Sequence, residues 1–173
     1  GVKEKGMKSD DYFLDNSRIS KSGLDLISKA PALYYDKYLS GDRINDEKHQ
    51  FKIGRAFHVA VLQPYDFWAR YTVPPNVDRR KIDGKERWAE FLAESAGKVA
   101  LRQKTDEKKR DLSYDQVMRM RDSALSHPIA AELLKVGRPE QVLHWEKMGE
   151  KCKSMLDFVN LKDWIIDLKS TAD

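Results

Sequence analysis

The hydrophobic period changes once, late in the chain, and that change decides the fold class. Up to about residue 135, apolar residues recur at helical spacing. After Gly137 they fall into three short runs, Gln141 to Lys147, Lys151 to Val159 and Trp164 to Lys169. Gly149-Glu150 between the first two is a tight-turn signal, and Asn160 to Asp163 is a polar connection. Strands linked so briefly are antiparallel neighbours, because a parallel pair needs a crossover of about a dozen residues or more. The expected fold is α+β, with N-terminal helices packed on a late sheet of mixed or antiparallel type.

The helical part has clear punctuation. Ser20 suits the cap of a short helix whose buried side is Leu24, Leu26 and Ile27. Pro31 suits the first position of the next helix, with Leu33, Tyr34, Tyr38 and Leu39 as its apolar residues and Gly41 as its stop. Gly41 to Glu47 reads as a polar loop. Phe51, Gly54, Phe57, Ala60 and Val61 predict a core helix over residues 50–63, ended by Pro64. A short helical turn follows, then a brief extended piece at Tyr71-Thr72-Val73. Asn76 to Asp83 is polar, basic and expected to be mobile. Trp88, Phe91 and Leu92 mark another helix, stopping near Gly97. Lys104 to Arg110 reads as the solvated start of a helix continued by Val117, Met120 and Leu125. His127-Pro128 interrupts it before a last short helix over residues 129–135.

Composition narrows the class. The 173 residues are 40% hydrophobic and 35% charged, enough for one domain with its own core. The expected organisation is a single domain over residues 1–173, with residues 1–15 as a flexible leading segment. The net charge of +4 and pI near 9.0 permit a polyanionic partner without requiring one. No run of about eighteen apolar residues is present, so no membrane span is expected. Cys152 is the single cysteine. It excludes an internal disulfide and a cysteine-only zinc site, and it fits a reducing, cytoplasmic setting. No Gly-rich Walker-type loop appears, so ATP use is not expected. The chain stops directly after an apolar strand with no closing helix, which reads as the C-terminal boundary of a partial domain.

The chemistry concentrates in Asp157 and in Ile165-Ile166-Asp167-Leu168-Lys169. On a strand Asp167 and Lys169 share one face and Ile166 and Leu168 the other. A hairpin-like link brings Asp157 on the preceding strand beside Asp167. Two carboxylates so placed repel, and a hard divalent cation resolves the repulsion. Mg²⁺, with Mn²⁺ as the alternative, takes one or two carboxylates plus water and substrate phosphate. Such an ion suits phosphodiester hydrolysis, with Lys169 offsetting transition-state charge. Asp-x-Lys on a solvated hairpin is an equally ordinary reading of the same spacing. His58, four residues after Gly54 in the core helix, is a candidate imidazole donor, although a core histidine with a backbone partner fits as well.

Four ordered segments resemble the exonuclease VIII (RecE-type) family. Gly54-Arg55-Ala56-Phe57-His58-Val59-Ala60-Val61-Leu62 with Pro64 is similar to its histidine motif, and Trp164 to Asp173 to its acid-x-lysine motif. Ile19-Ser20-Lys21-Ser22 with Pro31-Ala32-Leu33-Tyr34 resembles its opening. Trp145-Glu146 and Gly149 to Asp157 fall in order between them. The resemblance implies a PD-(D/E)xK nuclease fold of the RecB and lambda-exonuclease type. It implies His58, Asp157, Asp167 and the Leu168 backbone carbonyl as metal ligands, and Lys169 as the catalytic lysine. It further implies digestion of double-stranded DNA ends, 5′ to 3′, in phage-type recombination. The partners it implies are a single-strand annealing protein and other copies of the chain in a ring. Met155-Leu156-Asp157 stands where relatives carry Arg-Pro-Asp, which removes an arginine contact but keeps the aspartate. A later helix with a glutamine and tyrosine motif, and further strands, belong to the family pattern beyond Asp173, so this piece alone is expected to be weak or inactive. A catalytically silent DNA-binding or assembly module, and an endonuclease or repair nuclease on the same fold, are the alternatives.

Other residues suit DNA contact. Arg79, Arg80 and Lys81, with Lys85 and Arg87, form a basic run fit for phosphates, although a solvated loop has the same composition. Ser20 and Ser22 suit phosphate near a helix start as well as capping, and Arg55 lies within the histidine motif. Tyr34, Tyr35 and Tyr38 suit stacking on an unpaired base or ordinary core packing. Glu146 fits a metal acid or a plain strand position. His49, His127 and His144 have no matching partners in the sequence.

Overall fold

The structure is a computed structural model that describes residues 9–40, 49–102, 113–162 and 164–170. Gly41 to Glu47 and Lys104 to Arg110, for which a loop and a helix start were expected, lie outside the described residues. Two compact units divide the chain: Gly1–Glu47 with Leu133–Asp167, and Lys48–Glu132 with Leu168–Asp173.

The first unit opens with helix α1, Ser9–Leu14, which falls inside the segment expected to be flexible. Helix α2, Lys21–Lys29, is capped by Ser20, whose side chain accepts from the Gly23 amide at 3.3 Å. The expected buried side is only partly realised. Leu26 and Ile27 are half-buried, but Leu24 is 51% exposed, because Gly23 is the α2 residue that packs closest, against the Tyr34 ring. Pro31 starts helix α3, Pro31–Tyr34, which runs on into a π-helical turn, Tyr35–Leu39. Leu33 and Leu39 are exposed.

The sheet of this unit comprises β3 (Gly137–Lys147), β4 (Glu150–Asn160) and β5 (Ile165–Ile166), in the order β3-β4-β5, all antiparallel. Three late antiparallel strands are what the sequence predicts, but β3 starts four residues earlier and β5 is shorter. The β3–β4 turn places Met148 at φ 55° and Gly149 at φ 81°, the left-handed pair that a tight two-residue hairpin requires. The β4–β5 link is closed by Asn160, which is buried. Its Oδ1 accepts from the Lys162 and Trp164 amides at 2.9 and 3.1 Å, and its own amide donates to the Trp164 carbonyl. At the opposite end of β4, Ile19 forms a parallel bridge with Cys152, with bonds from the Ile19 amide to the Lys151 carbonyl and from the Lys153 amide to the Ile19 carbonyl.

The second unit is built on helix α4, His49–Leu62, and helix α7, Ser113–Ser126. Ala56 and Ala60 are small and buried, which lets the two helices approach. Ile53, Val59, Phe67, Tyr71, Leu101 and the fully buried Val117 complete the core. Of the residues predicted at helical spacing, Phe57, Ala60, Val61 and Val117 are buried, Gly54 and Met120 are half-buried and Leu125 is exposed, while Ile53, Ala56 and Val59 join the core without having been singled out. Pro64 opens a 3₁₀ turn, Pro64–Asp66, followed by helix α5, Phe67–Arg70. Strand β1, Tyr71–Thr72, pairs in parallel with β2, Val99–Ala100, a partner that no sequence signal announces. Between them lies helix α6, Ile82–Glu94. Ser113, also buried, accepts from the Arg102 amide at 3.0 Å and so ties the start of α7 to the end of the β2 segment. Helix α8, Pro128–Leu134, follows α7. Among the described residues no helix is long and apolar enough to cross a membrane.

Candidate active site

The sheet register fixes the relation between the two aspartates. Phe158 pairs with Ile166 and Val159 with Ile165, so the next position of the same antiparallel register sets Asp157 opposite Asp167, one residue past the end of β5. Residues directly opposite in an antiparallel pair project from the same face. Asp157 is half-buried and Asp167 exposed. Asn160 is the residue that holds this register, because its side chain fixes the turn from which β5 returns.

The other neighbour of Asp157 was not foreseen. On β3, Pro139 pairs with Phe158 and Gln141 with Leu156, which leaves Glu140 at the position facing Asp157. Glu140 is half-buried and its backbone is left-handed, at φ 49°. Such a conformation is uncommon for a non-glycine residue and concentrates at functional and turn positions. Asp157 and Asp167 thus form an acid row on β4 and just past β5, with Glu140 flanking it on β3 at a position that the β3–β4 register passes over. Glutamate gives no sequence signal of a positive φ, and the row appears only once the pairing is known. Among the described residues no group of three or more His, Cys, Asp or Glu side chains is already gathered as a metal site.

Farther along β4, Lys153 lies on the same face as Asp157 by strand alternation. It is only 6% exposed. Its ammonium donates to the carbonyls of Tyr12 and Asp15 and lies 4.5 Å from the centre of the Tyr12 ring. A buried ammonium is tolerable only with such partners, and here it ties the end of α1 to the sheet. The Asp15 carboxyl is held below the usual carboxylate range, first by hydrogen bonds from the Ser17 hydroxyl and amide, with help from Lys153 and Arg18. Burial and the nearby Tyr38 push the hydroxyls of Tyr12 and Tyr34 up.

Ser20 and Ser22 are 3.1 Å apart through their hydroxyls, and Ser22 lies 3.5 Å from the Tyr38 hydroxyl. Ser20 thus caps α2, and Ser22 lies within the helix beside it. The bridge at Ile19 places Ser20 near Cys152, five positions from Asp157. That is roughly 16 Å along a strand. They stand apart from the acid row.

In the second unit, His58 is half-buried on α4, its ring edge-on to Phe57 at 6.0 Å, and Arg55 is exposed. A Cβ added at Gly54 would lie 3.4 Å from Ser170 Oγ. Gly54 and His58 are one helical turn apart on the same face, so the segment carrying Leu168, Lys169 and Ser170 approaches the histidine-bearing helix. Lys169 is exposed and Leu168 half-buried. The basic residues Arg79, Arg80 and Lys81 form an exposed turn just before α6. Glu146 and His144 are exposed on β3. His49 falls at the start of α4, where its side chain is outside the described residues.

The donor chemistry of the acid row fits a hard divalent ion: carboxylate oxygens on one face, with the lone thiol, Cys152, buried elsewhere on β4. Comparison with curated proteins gave no match. Residues 20–173 match the model of a family described as a PDDEXK-like domain of unknown function (DUF3799). An α+β fold with a late antiparallel sheet, and a family match over residues 20–173, place this protein in the PDDEXK-like (DUF3799) family, with a PD-(D/E)xK nuclease-type fold.

Proposed function

We propose that the protein is a Mg²⁺-dependent deoxyribonuclease that hydrolyses phosphodiesters at double-stranded DNA ends. The observation that carries the reading is the register that sets Asp157 opposite Asp167 on one sheet face, with a lysine two residues beyond the second acid. In this reading Asp157 and Asp167 hold the cation, with His58 and the Leu168 carbonyl as further donors. When bound, Mg²⁺ or Mn²⁺ supplies the positive charge that polarises the phosphodiester and favours hydroxide at neutral pH. Lys169 contributes a fixed ammonium that offsets charge developing on the phosphoryl oxygens. Asn160 contributes position only, by setting where β5 begins.

The resemblance to RecE-type nucleases supports the finer assignment to 5′ to 3′ end digestion in phage-type recombination. The same resemblance supports a ring of copies, a strand-annealing partner and a cytoplasmic site of action. Ser20 and Ser22 at the start of α2, and the exposed Arg55 beside His58, are the further residues assigned to DNA contact. The deciding experiment is digestion of linear duplex DNA with Mg²⁺ by the full-length protein and by its Asp167→Ala variant. Equal rates would remove the site. Covalently closed circular DNA separates the end-dependent reading from an endonuclease, which would cut it. Salt-sensitive DNA binding without cleavage would instead mark a silent binding module.

A further inference from the structure

We infer that the turn at Asp78 to Lys81 and the first turns of α6 form a preassembled grip for the phosphate backbone of DNA. Arg80, Lys81 and Lys85 meet phosphates, and Arg79 holds the turn in place. The choice of DNA as the polyanion rests on the nuclease reading; the shape of the grip does not.

The sequence reads this stretch as mobile; the structure shows Asp78 to Lys81 as a hydrogen-bonded turn. The Lys81 amide donates to the Asp78 carbonyl at 3.1 Å, and the Arg80 amide donates to Asp78 Oδ1 at 3.1 Å. The Lys85 amide then donates to the Lys81 carbonyl at 3.0 Å, so the turn passes directly into α6. The Asp78 backbone lies over Gly84 so closely that a Cβ there would fall 2.1 Å from the Asp78 carbonyl oxygen. Only glycine allows this approach. The Arg79 guanidinium lies 4.6 Å from the centre of the half-buried Trp88 ring, which fixes the turn from its other side.

This frame presents charge on one side. Lys81 is the extended residue that caps α6, and Lys85 and Trp88 recur at i and i+3 on one face of the helix. Asp83, Glu86 and Arg87 fall on other faces at about 100° per residue. Arg87, grouped with the basic run on sequence grounds, is thereby left out of the grip. Arg80 extends fully, its side chain 95% exposed, with Asp78 3.8 Å away. Arg79, Arg80, Lys81 and Lys85 against Asp78 leave a local excess of three positive charges. A phosphate backbone meets such an array without base recognition. The Trp88 face under Arg79 is covered, so the patch offers charge rather than a stacking surface. Because the turn is already formed, binding has little ordering cost to overcome.

The test is duplex DNA binding, by fluorescence anisotropy in EDTA so that nothing is cut, between about 50 and about 200 mM salt. Each phosphate contact adds about 0.9 to the slope of log affinity against log salt. Removing three contacts in R80Q/K81Q/K85Q lowers the slope by about 3, equivalent to about 40-fold less salt sensitivity over that range. G84A keeps every charge but displaces the turn, and it is expected to weaken binding and flatten the slope. K147Q/K151Q, at the exposed β3–β4 turn, is expected to bind as the wild type does. A triple variant with the wild-type slope, or a hairpin variant that loses as much, overturns the grip and leaves the nuclease reading standing. An unchanged G84A overturns preassembly. Wild-type protein that neither binds nor cuts DNA overturns both readings.

Discussion

The α4–α7 core and the β4–β5 edge are built from opposite materials. The first is closed and apolar: Ala56, Leu101 and Val117 are fully buried, and sequence period alone predicts α4 and most of α7. The second half-buries or buries polar groups, Asp157, Lys153 and Asn160, and places acids opposite one another. Facing like charges destabilise an antiparallel pair, so a sheet optimised for stability alone would not repeat them across neighbouring strands. The difference teaches where to expect stability and where to expect chemistry, and substitutions should separate the two.

The largest effect is expected at the acid row. Asp167→Asn should lower the rate of duplex digestion by at least about 10²-fold, equivalent to about 3 kcal/mol of transition-state stabilisation. It should change the melting temperature of the metal-free protein little compared with the rate, because Asp167 is exposed. A variant that melts earlier and digests normally would place Asp167 with the stabilising residues. Leu101→Ala, in the other region, should behave in reverse. Truncating a fully buried leucine costs about 2 to 5 kcal/mol, read as a fall in denaturant midpoint, with digestion per folded molecule unchanged.

Asn160 sharpens the boundary because it is buried like a core residue yet sets the register of the acids. Asn160→Ala leaves the Lys162 and Trp164 amides without their acceptor. It should cost about 1 to 3 kcal/mol and also lower digestion beyond the loss of folded protein. Asn160→Asp, which keeps an accepting oxygen, should restore most of both. If Asn160→Ala loses stability alone, the register does not depend on that turn.

The smallest effect is acid dependence at Asp15. Its folded pKa is lowered, chiefly by Ser17, so the carboxylate stabilises the fold fully above its unfolded pKa. That contribution is lost as pH falls through the folded value. Ser17→Ala should therefore flatten the fall in stability below about pH 4, while leaving neutral stability only slightly reduced. Urea midpoints across that acid range check it.

What was legible in the sequence follows the same division. Core periodicity, the Pro31 and Pro64 breaks and the Gly149 turn are local properties and read correctly. So does the antiparallel pairing of the last two strands, because the link between them is too short for a crossover. Two features depend on partners far away in sequence and stayed hidden: the β1–β2 pairing through Val99 and the left-handed Glu140 across from Asp157; the turn over Gly84 is local but carries no signal beyond a single glycine. Leu24 and Leu33 misled in the other direction, since an apolar residue at helical spacing is buried only if something packs on it.

The most direct measurement is the anomalous scattering of crystals soaked in Mn²⁺. A peak within coordinating distance, about 2.0 to 2.3 Å, of carboxylate oxygens from both Asp157 and Asp167 is the predicted result. No peak there at saturating Mn²⁺, or one bound by other residues while these two remain apart, would contradict the proposal that the acid row is the catalytic centre.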